Sequence, residues 1–350
     1  MDKIQEDYTP NYMHKPIDNI RKYRGYEMFI VRKDNIIPIH YGDVSWEDSI
    51  DTLGMKLSFS TPRNIQDRHM KRYDSLRIGD KVMFKNKDVT IFTGMVVDMD
   101  IEKYKRSVTA YDYGYLLNQN NILIQFNKIN SKKAIQDLCS RENVPVGKLS
   151  GLNATITKVY QNESVAAIIK DIIEQNELKN GYSYRMEIRD GKLVIEPYSN
   201  LLIKPITKLA ANVGQFDPTL LPGNITKSHS LTNMVNKVVV VTENKKSFKT
   251  VYTGTNKDSI SQYGLFQEVV SVSKEEIQNA RSIANNILKE KSNVGTDITV
   301  EMLGDDKVRA GRTIILENET FGLTGKFLIK HCTQTFHNNV RKMNLDIKQV

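Results

Sequence analysis

The chain has only two cysteines, Cys139 and Cys332, too few for a disulfide framework. Its fold must therefore rest on packing, and two free buried thiols in a reducing cytosol are expected. No apolar run approaches the ~18 residues that a membrane helix needs. The opening MDKIQEDYTPNYMHKP lacks the apolar core of a signal peptide, so neither membrane insertion nor conventional secretion is expected. Runs of five or six like charges are also missing. The net charge of +9, from 50 Lys+Arg against 41 Asp+Glu, thus reads as a Lys-rich surface with its acids interleaved. Nothing here requires a nucleic acid.

Catalytic signatures are equally scarce. There is no Gly-rich phosphate loop, no GxSxG, no HExxH and no CxxC, and no cofactor is implied. Asp98, Asp100 and Glu102 line one face of a strand-like segment, an arrangement that could hold a cation or act as acid and base. They occupy the solvent phase of an alternating strand with Lys103, Lys105 and Arg106 directly after, so a solvated face is the better reading. His331, Cys332 and His337 form the one metal-flavoured group, but in a strand His331 and Cys332 point to opposite faces. No catalytic, cofactor or metal residue is assigned.

What the chain does have is strand patterning. At 350 residues and 39% hydrophobic, with 16 Tyr and 11 Phe, it can fill more than one core. Residues 1–24, with Pro10 and Pro16, read as an N-terminal arm. Residues 25–118 read as all-β, from EMFIV through VTIFTGMVVDMDI, where Met95, Val97, Met99 and Ile101 alternate with Val96, Asp98, Asp100 and Glu102. Residues 119–200 read as α+β. They hold a helix over 131–143 capped by Ser131, a second over 162–176 breaking near Asn180-Gly181, and a hairpin turning at Asp190-Gly191. Residues 201–224, with Pro205, Pro218 and Pro222, read as a linker. Residues 225–244 and 296–350 read as a second, split barrel. The segment 245–295 is inserted within it and carries a helix over 273–291 that opens on a capping box, Ser273 with Glu276. The predicted fold class is mainly β with α+β insertions and two similar small β-barrels in a multi-domain hub architecture.

Two segments, residues 76–113 and 308–347, look like one unit used twice. Each begins apolar-Arg-x-Gly and enters a strand after Gly79 or Gly311. Each then reaches Thr-Gly at Gly94 or Gly325, spaced fifteen and fourteen residues on. A long strand, a polar tip and a return strand follow, placing Asp112 and Asp346 at matching points. Glycines at such places suit sharp reversals or bulges that let a sheet curl.

The order of segments resembles phage baseplate hub proteins of the XkdQ type. These are relatives of the contractile-tail hub of T-even phages and of the N-terminal part of VgrG spike proteins. Trp46-Glu47-Asp48 with Leu57-Ser58-Phe59-Ser60 resembles the family's early strand pair, and LRIGDKVMF, IFTGMV and TAYDY its first barrel. SLTNMVNKVVVV, YGLFQEVV, VRAG, LIKHCTQTF and RKMNLDI are similar to its second half. The resemblance implies a homotrimer whose paired barrels form a ring of six, joining a hexameric tail tube protein to a central spike protein among other baseplate proteins. It further implies assembly in the bacterial cytoplasm and incorporation into a phage tail, a tail-like bacteriocin or another contractile injection system. Sheet edges and tips would then be the contacts. The tips fall at residues 85–89, 102–106, 317–323 and 337–340, with Lys103 and Lys105 as assembly contacts. Two other readings compete, a tail-associated peptidoglycan hydrolase and a basic β-rich nucleic-acid binder. Neither accounts for a repeated unit.

Overall fold

Burial alternates residue by residue from Tyr26 onward, and that period builds the strands of the N-terminal segment. The computed structural model describes residues 25–33, 35–64, 66, 76–206, 214–220, 222–244, 247–272, 277–337 and 340–350. Strands β1 (Tyr26–Arg32), β2 (Asn35–Ile39), β3 (Val44–Ser49), β4 (Lys56–Pro62), β5 (Lys81–Asn86), β6 (Val89–Ile101) and β7 (Lys105–Asp112) come first. Their inward faces meet at Phe84, which is fully buried. Tyr41 and Trp46 approach it edge-on with ring centroids at 5.8 and 5.4 Å, geometries favoured by the aromatic quadrupole.

In β6 the inward phase changes part-way. Phe92, Gly94 and Val96 point inward, and a bulge between Val96 and Asp98 then shifts the register against β7. Beyond it Met99 packs on the core while Ile101 is exposed. The single alternation read from the sequence is therefore corrected, because one extra residue in a strand reverses every later side chain.

An α+β region follows: α1 (Gly114–Gln119), β8 (Asn121–Asn130), α2 (Ser131–Arg141), β9 (Val146–Leu149), β10 (Thr155–Ser164), α3 (Val165–Asn180), β11 (Tyr184–Arg189) and β12 (Lys192–Pro197). Strands β8 and β10 pair antiparallel, while β12 pairs β11 antiparallel and β9 parallel. The β11–β12 turn has Asp190 at φ 50° and Gly191 at φ 70°, the two positive angles of a type I′ turn. Ser164 caps α3 by accepting from Ala167 N at 3.2 Å, and Gly181 closes it at φ 73°. The α2 cap is Asn130, which accepts from Lys132 N, rather than Ser131. Ser131 is instead buried, its hydroxyl donating to Asn176 Oδ1 at 3.2 Å. That Oδ1 also accepts from Asn153 N and Ala154 N at 2.8 and 2.9 Å, so a fully buried amide is satisfied on every side.

The remaining elements are β13 (Ile225–Ser230), β14 (Lys237–Asn244), β15 (Ser247–Thr255), α4 (Lys257–Tyr263), β16 (Gln267–Val272), α5 (Ala280–Lys291), β17 (Gly295–Leu303), β18 (Thr313–Asn318), β19 (Leu323–His337) and β20 (Val340–Gln349). The chain divides into two compact units, residues 1–224 with 300–350, and residues 225–299. In the smaller unit β14 is the central strand, antiparallel to β15 and parallel to β16. Val238 and Val240 are fully buried with Ala280 and Ala284 of α5. The sequence reading gave β14 to a split second barrel, and its pairing corrects that. A continuous apolar run suits a central strand with a parallel neighbour and a helix packed on it, here α5, which follows β16. The capping box Ser273 with Glu276 lies outside the described residues.

In the larger unit one path of paired strands runs β17-β20-β19-β3-β4-β7-β6-β5-β1-β2, with β18 also on β19. The N-terminal and C-terminal hairpins are therefore continuous through β3, whose Asp48 lies opposite Cys332. Among the described residues no pairing closes this path into a ring, so two separate closed barrels are replaced by one open, shared sheet.

Candidate functional site

Two turns in the larger unit make the same hydrogen bonds. Gly79 N donates to Val96 O and Val96 N to Asp80 O, both at 2.9 Å. Gly311 N donates to Ile329 O at 2.8 Å, and Ile329 N to Arg312 O at 2.9 Å. Both glycines have positive φ, 86° and 82°, which an L side chain strains to adopt. The bulge follows at once in each long strand, between Val96 and Asp98 and between Ile329 and His331.

Gly94 and Gly325 do not occupy matching rungs. Gly94 faces Val82, whose counterpart Ile314 faces Phe327, whereas Gly325 faces Leu316. The longer connection after β18, residues 319–322, shifts the later glycine. Their physical reasons also differ. A Cβ on Gly94 would collide with the Tyr111 carbonyl oxygen, while Gly325 is required by its φ of 122°. Asp112 and Asp346 are likewise not equivalent: Asp112 faces Gly94, and Asp346 faces His331 beside the second bulge.

Asp112 has a structural task. Its Oδ2 accepts from Met55 N at 2.9 Å and its Oδ1 from Gly114 N at 2.8 Å, closing β7 against the turn that enters β4. Burial pushes its carboxyl up to about 7, despite those two bonds and the positive charge of Arg309. The native state thus holds this proton where the unfolded chain has lost it. The stability it contributes is complete below its ordinary value of 3.8 and is lost as pH rises through about 7. Urea midpoints measured from about pH 5 to pH 8 should fall with rising pH, and less steeply in Asp112→Asn. Parallel profiles would assign the dependence to another group.

The turn after Val308 is held by charge. Asp48 Oδ1 accepts from Ala310 N at 3.0 Å, and its Oδ2 from Arg309 Nε at 3.2 Å. Arg312 grips Glu187 with two bonds, Nη2 to Oε1 at 2.7 Å and Nη1 to Oε2 at 3.0 Å. Arg189 also donates to Glu187, and to Glu196 at 2.6 Å. Of these, Arg189, Glu196, Arg309 and Arg312 border a cleft of about 420 Å³ that Trp46, Asp306 and Arg341 also line. The cluster joins β3, β11 and the turn leading into β18, and its polar groups are spent on one another. It is an anchor rather than a reactive centre.

Lys103 and Lys105 lie exposed on the β6–β7 tip, which Glu102 N closes by donating to Lys105 O at 2.9 Å. Asp98, Asp100 and Glu102 are exposed, and Asp98 Oδ1 accepts from Met99 N at 2.9 Å. His331 is within 3.0 Å of Thr333 Oγ1, Cys332 is buried, and His337 pairs with Asp43 at 2.7 Å. Among the described residues no three such side chains converge as a metal would require. Burial pushes the Cys139 thiol up to about 12 and raises that of Cys332 as well.

Residues 44–348 match the YqbQ-like family. The chain belongs to that family. The YqbQ-like chain is 23% identical over 333 residues to a Bacillus subtilis protein, YqbQ, covering 92% of this chain and 96% of that one. It is 21% identical, with the same coverage, to XkdQ of the phage-like element PBSX from the same organism. Solved structures share its fold. The prophage MuSo2 43 kDa tail protein of Shewanella oneidensis superposes with a TM-score of 0.64 at 13% identity, covering 93% of this chain and 98% of that chain. A tail protein of Neisseria meningitidis gives 0.63 at 12% identity, with coverage of 93% and 97%.

Proposed function

We propose that this YqbQ-like chain is a structural, non-enzymatic hub subunit in the baseplate of a phage tail or tail-like particle. Three copies would close a ring, joining a hexameric tail tube to a central spike. The observation that carries this reading is the turn made twice, at Gly79 and at Gly311, with the same hydrogen bonds and the same following bulge. Two like units per chain let a threefold ring present near-sixfold symmetry to a tube, because each heterologous step can then use a similar patch. The relatives support the setting: one is named as a phage-like element protein, and the similar folds come from tail proteins.

The exposed tips supply the contacts in this reading. Reversing both charges in Lys103→Glu/Lys105→Glu should leave the fold intact, since neither ammonium makes a buried contact. It should lower the yield of complete particles several-fold when the variant complements a deletion, scored by electron microscopy. Wild-type yield would remove these lysines from the interface. Light scattering of the chain mixed with its spike protein should show three copies per complex, and a persistent monomer or dimer would refute the ring.

A further inference from the structure

The repeat reaches one strand further back than its turns. Gly42 N donates to Ser60 O at 2.8 Å and Ser60 N to Asp43 O at 3.2 Å, where the chain enters β3 beside β4. Gly223 N donates to Glu301 O and Glu301 N to Asn224 O, both at 2.8 Å, where the chain enters β13 beside β17. Strand β13 therefore stands to β17 as β3 stands to β4. In the first repeat, β3 also has a neighbour on its other side. It pairs antiparallel with β19 beyond the bulge of that strand, from His331 opposite Ser49 to Phe336 opposite Val44. The matching stretch of β6, residues 98–101, pairs with β7 alone among the described residues. Glu102 N bonds toward β7, so by alternation the backbone groups of Met99 and Ile101 point to the open side. Met99 N is met by the carboxylate of its own neighbour, Asp98 Oδ1, at 2.9 Å. Ile101 is 59% exposed, whereas its counterpart Gln334, opposite β3, is 1% exposed. Strand β13 is the other half of the same situation. Among the described residues it pairs with β17 alone, and residues 226–229 are exposed. One junction is complete within the chain, and both halves of its counterpart are left open.

We propose that these two open edges join between chains, β13 of a second copy adding antiparallel to β6 beyond its bulge, as β3 adds to β19. Carrying the β3–β19 register across sets Ser228 of one chain opposite Asp100 of the other, and Thr226 opposite Glu102. Hydroxyls then meet carboxylates across the strands. The charges agree as well. The β6 edge carries Asp98, Asp100 and Glu102, while β13 carries Lys227 and no acid, and Lys227 has no ion pair among the described residues. The contact is heterologous, so each chain offers one edge and receives at another, and its repetition can close a ring. The proposal rests on the ring reading and adds how one chain joins the next.

The test is disulfide trapping between full chains. One chain carries Asp100→Cys and the other Ser228→Cys, both at exposed positions, and the native Cys139 and Cys332 are buried. Residues opposed across such a pair have Cα atoms about 4.5–5.5 Å apart, within reach of a disulfide. The two chains are mixed and oxidised, once purified and concentrated, and once assembled with the spike protein. A disulfide-linked pair should form from the mixture and from neither chain alone. His229→Cys lies one residue on and points to the opposite face, so mixed with Asp100→Cys it should give several-fold less product. Equal yields from the two mixtures, or no disulfide in either preparation, would overturn the proposal. A chain carrying both Asp100→Cys and Ser228→Cys separates it from the ring reading, because its ladder of linked chains should stop at three. A ladder that runs on would keep the strand pairing and refute the threefold ring. Three copies per complex by light scattering, with no disulfide formed, would refute the pairing alone.

Discussion

Replacing Glu187 with Gln should cost about 3–5 kcal/mol of folding stability, read as a large fall in the urea midpoint. Glu187 is 2% exposed and faces the positive charge of three guanidiniums, those of Arg309, Arg312 and Arg189. Burial alone would raise its pKa, but Arg309, Arg312 and Arg189 hold the carboxyl well below the usual carboxylate range. The amide of Gln can accept one bond from the Arg312 fork and sets its own donors against the other, while Arg312 stays buried without its counter-charge. The double variant Glu187→Gln/Arg312→Met removes both members, so it should lose less than the two single losses added together. A coupling of at least about 1 kcal/mol is expected. The sign with pH is opposite to that of Asp112. The contribution of Glu187 is present above its ordinary value of 4.5 and is lost as pH falls through its lower native value. Additive losses, or a single variant that unfolds at the wild-type midpoint, would show that the anchor holds nothing.

How much of this could be read in advance depended on whether the signal was local. The Asp190-Gly191 turn, the break at Gly181 and the alternating strands were legible because each is set by backbone geometry within a few residues. The repeat was legible at Gly79 and Gly311 for the same reason. It misled at Gly94 and Gly325, where near-equal spacing concealed different rungs. The place of β14 was lost because an apolar run states that a strand is buried and not which sheet buries it. The ionic anchor was invisible for a stronger reason. Asp48 and Glu187 are remote in sequence from Arg309 and Arg312, and each charge read alone resembles a solvated face. Arg77 and Arg309 share a place in the repeat, yet Arg77 is exposed while Arg309 is drawn under the sheet to Asp48. The two turns share their backbone hydrogen bonds, and their side chains are put to different uses.

Removal of Arg341 should be as damaging as that of Glu187. Arg341 begins the return strand of the C-terminal hairpin, and its side chain passes into the core of the larger unit. Nε donates to Gln334 Oε1 at 2.7 Å, Nη2 to Asp305 O at 2.8 Å, and Nη1 to Tyr26 OH at 3.1 Å and to Asp306. The guanidinium lies 4.9 Å from the Trp46 ring centre and 5.8 Å from that of Tyr26. One side chain therefore ties β20 to β1 and β3 at the two ends of the sequence. Arg341→Met should keep the stem's packing and still lose about 3–5 kcal/mol, because buried acceptors and Asp306 are left without their donor. Lys should not restore it, since a single ammonium cannot span a fork of acceptors in several directions. Gly304 gives an internal check, because a Cβ there would collide with the Arg341 side-chain stem at Cγ. Gly304→Ala should destabilise the wild type and cost far less in an Arg341→Ala background, where the colliding atoms are gone. Equal cost of Gly304→Ala in both backgrounds, or recovery of wild-type stability with Lys, would mean that packing at this position matters and the fork does not.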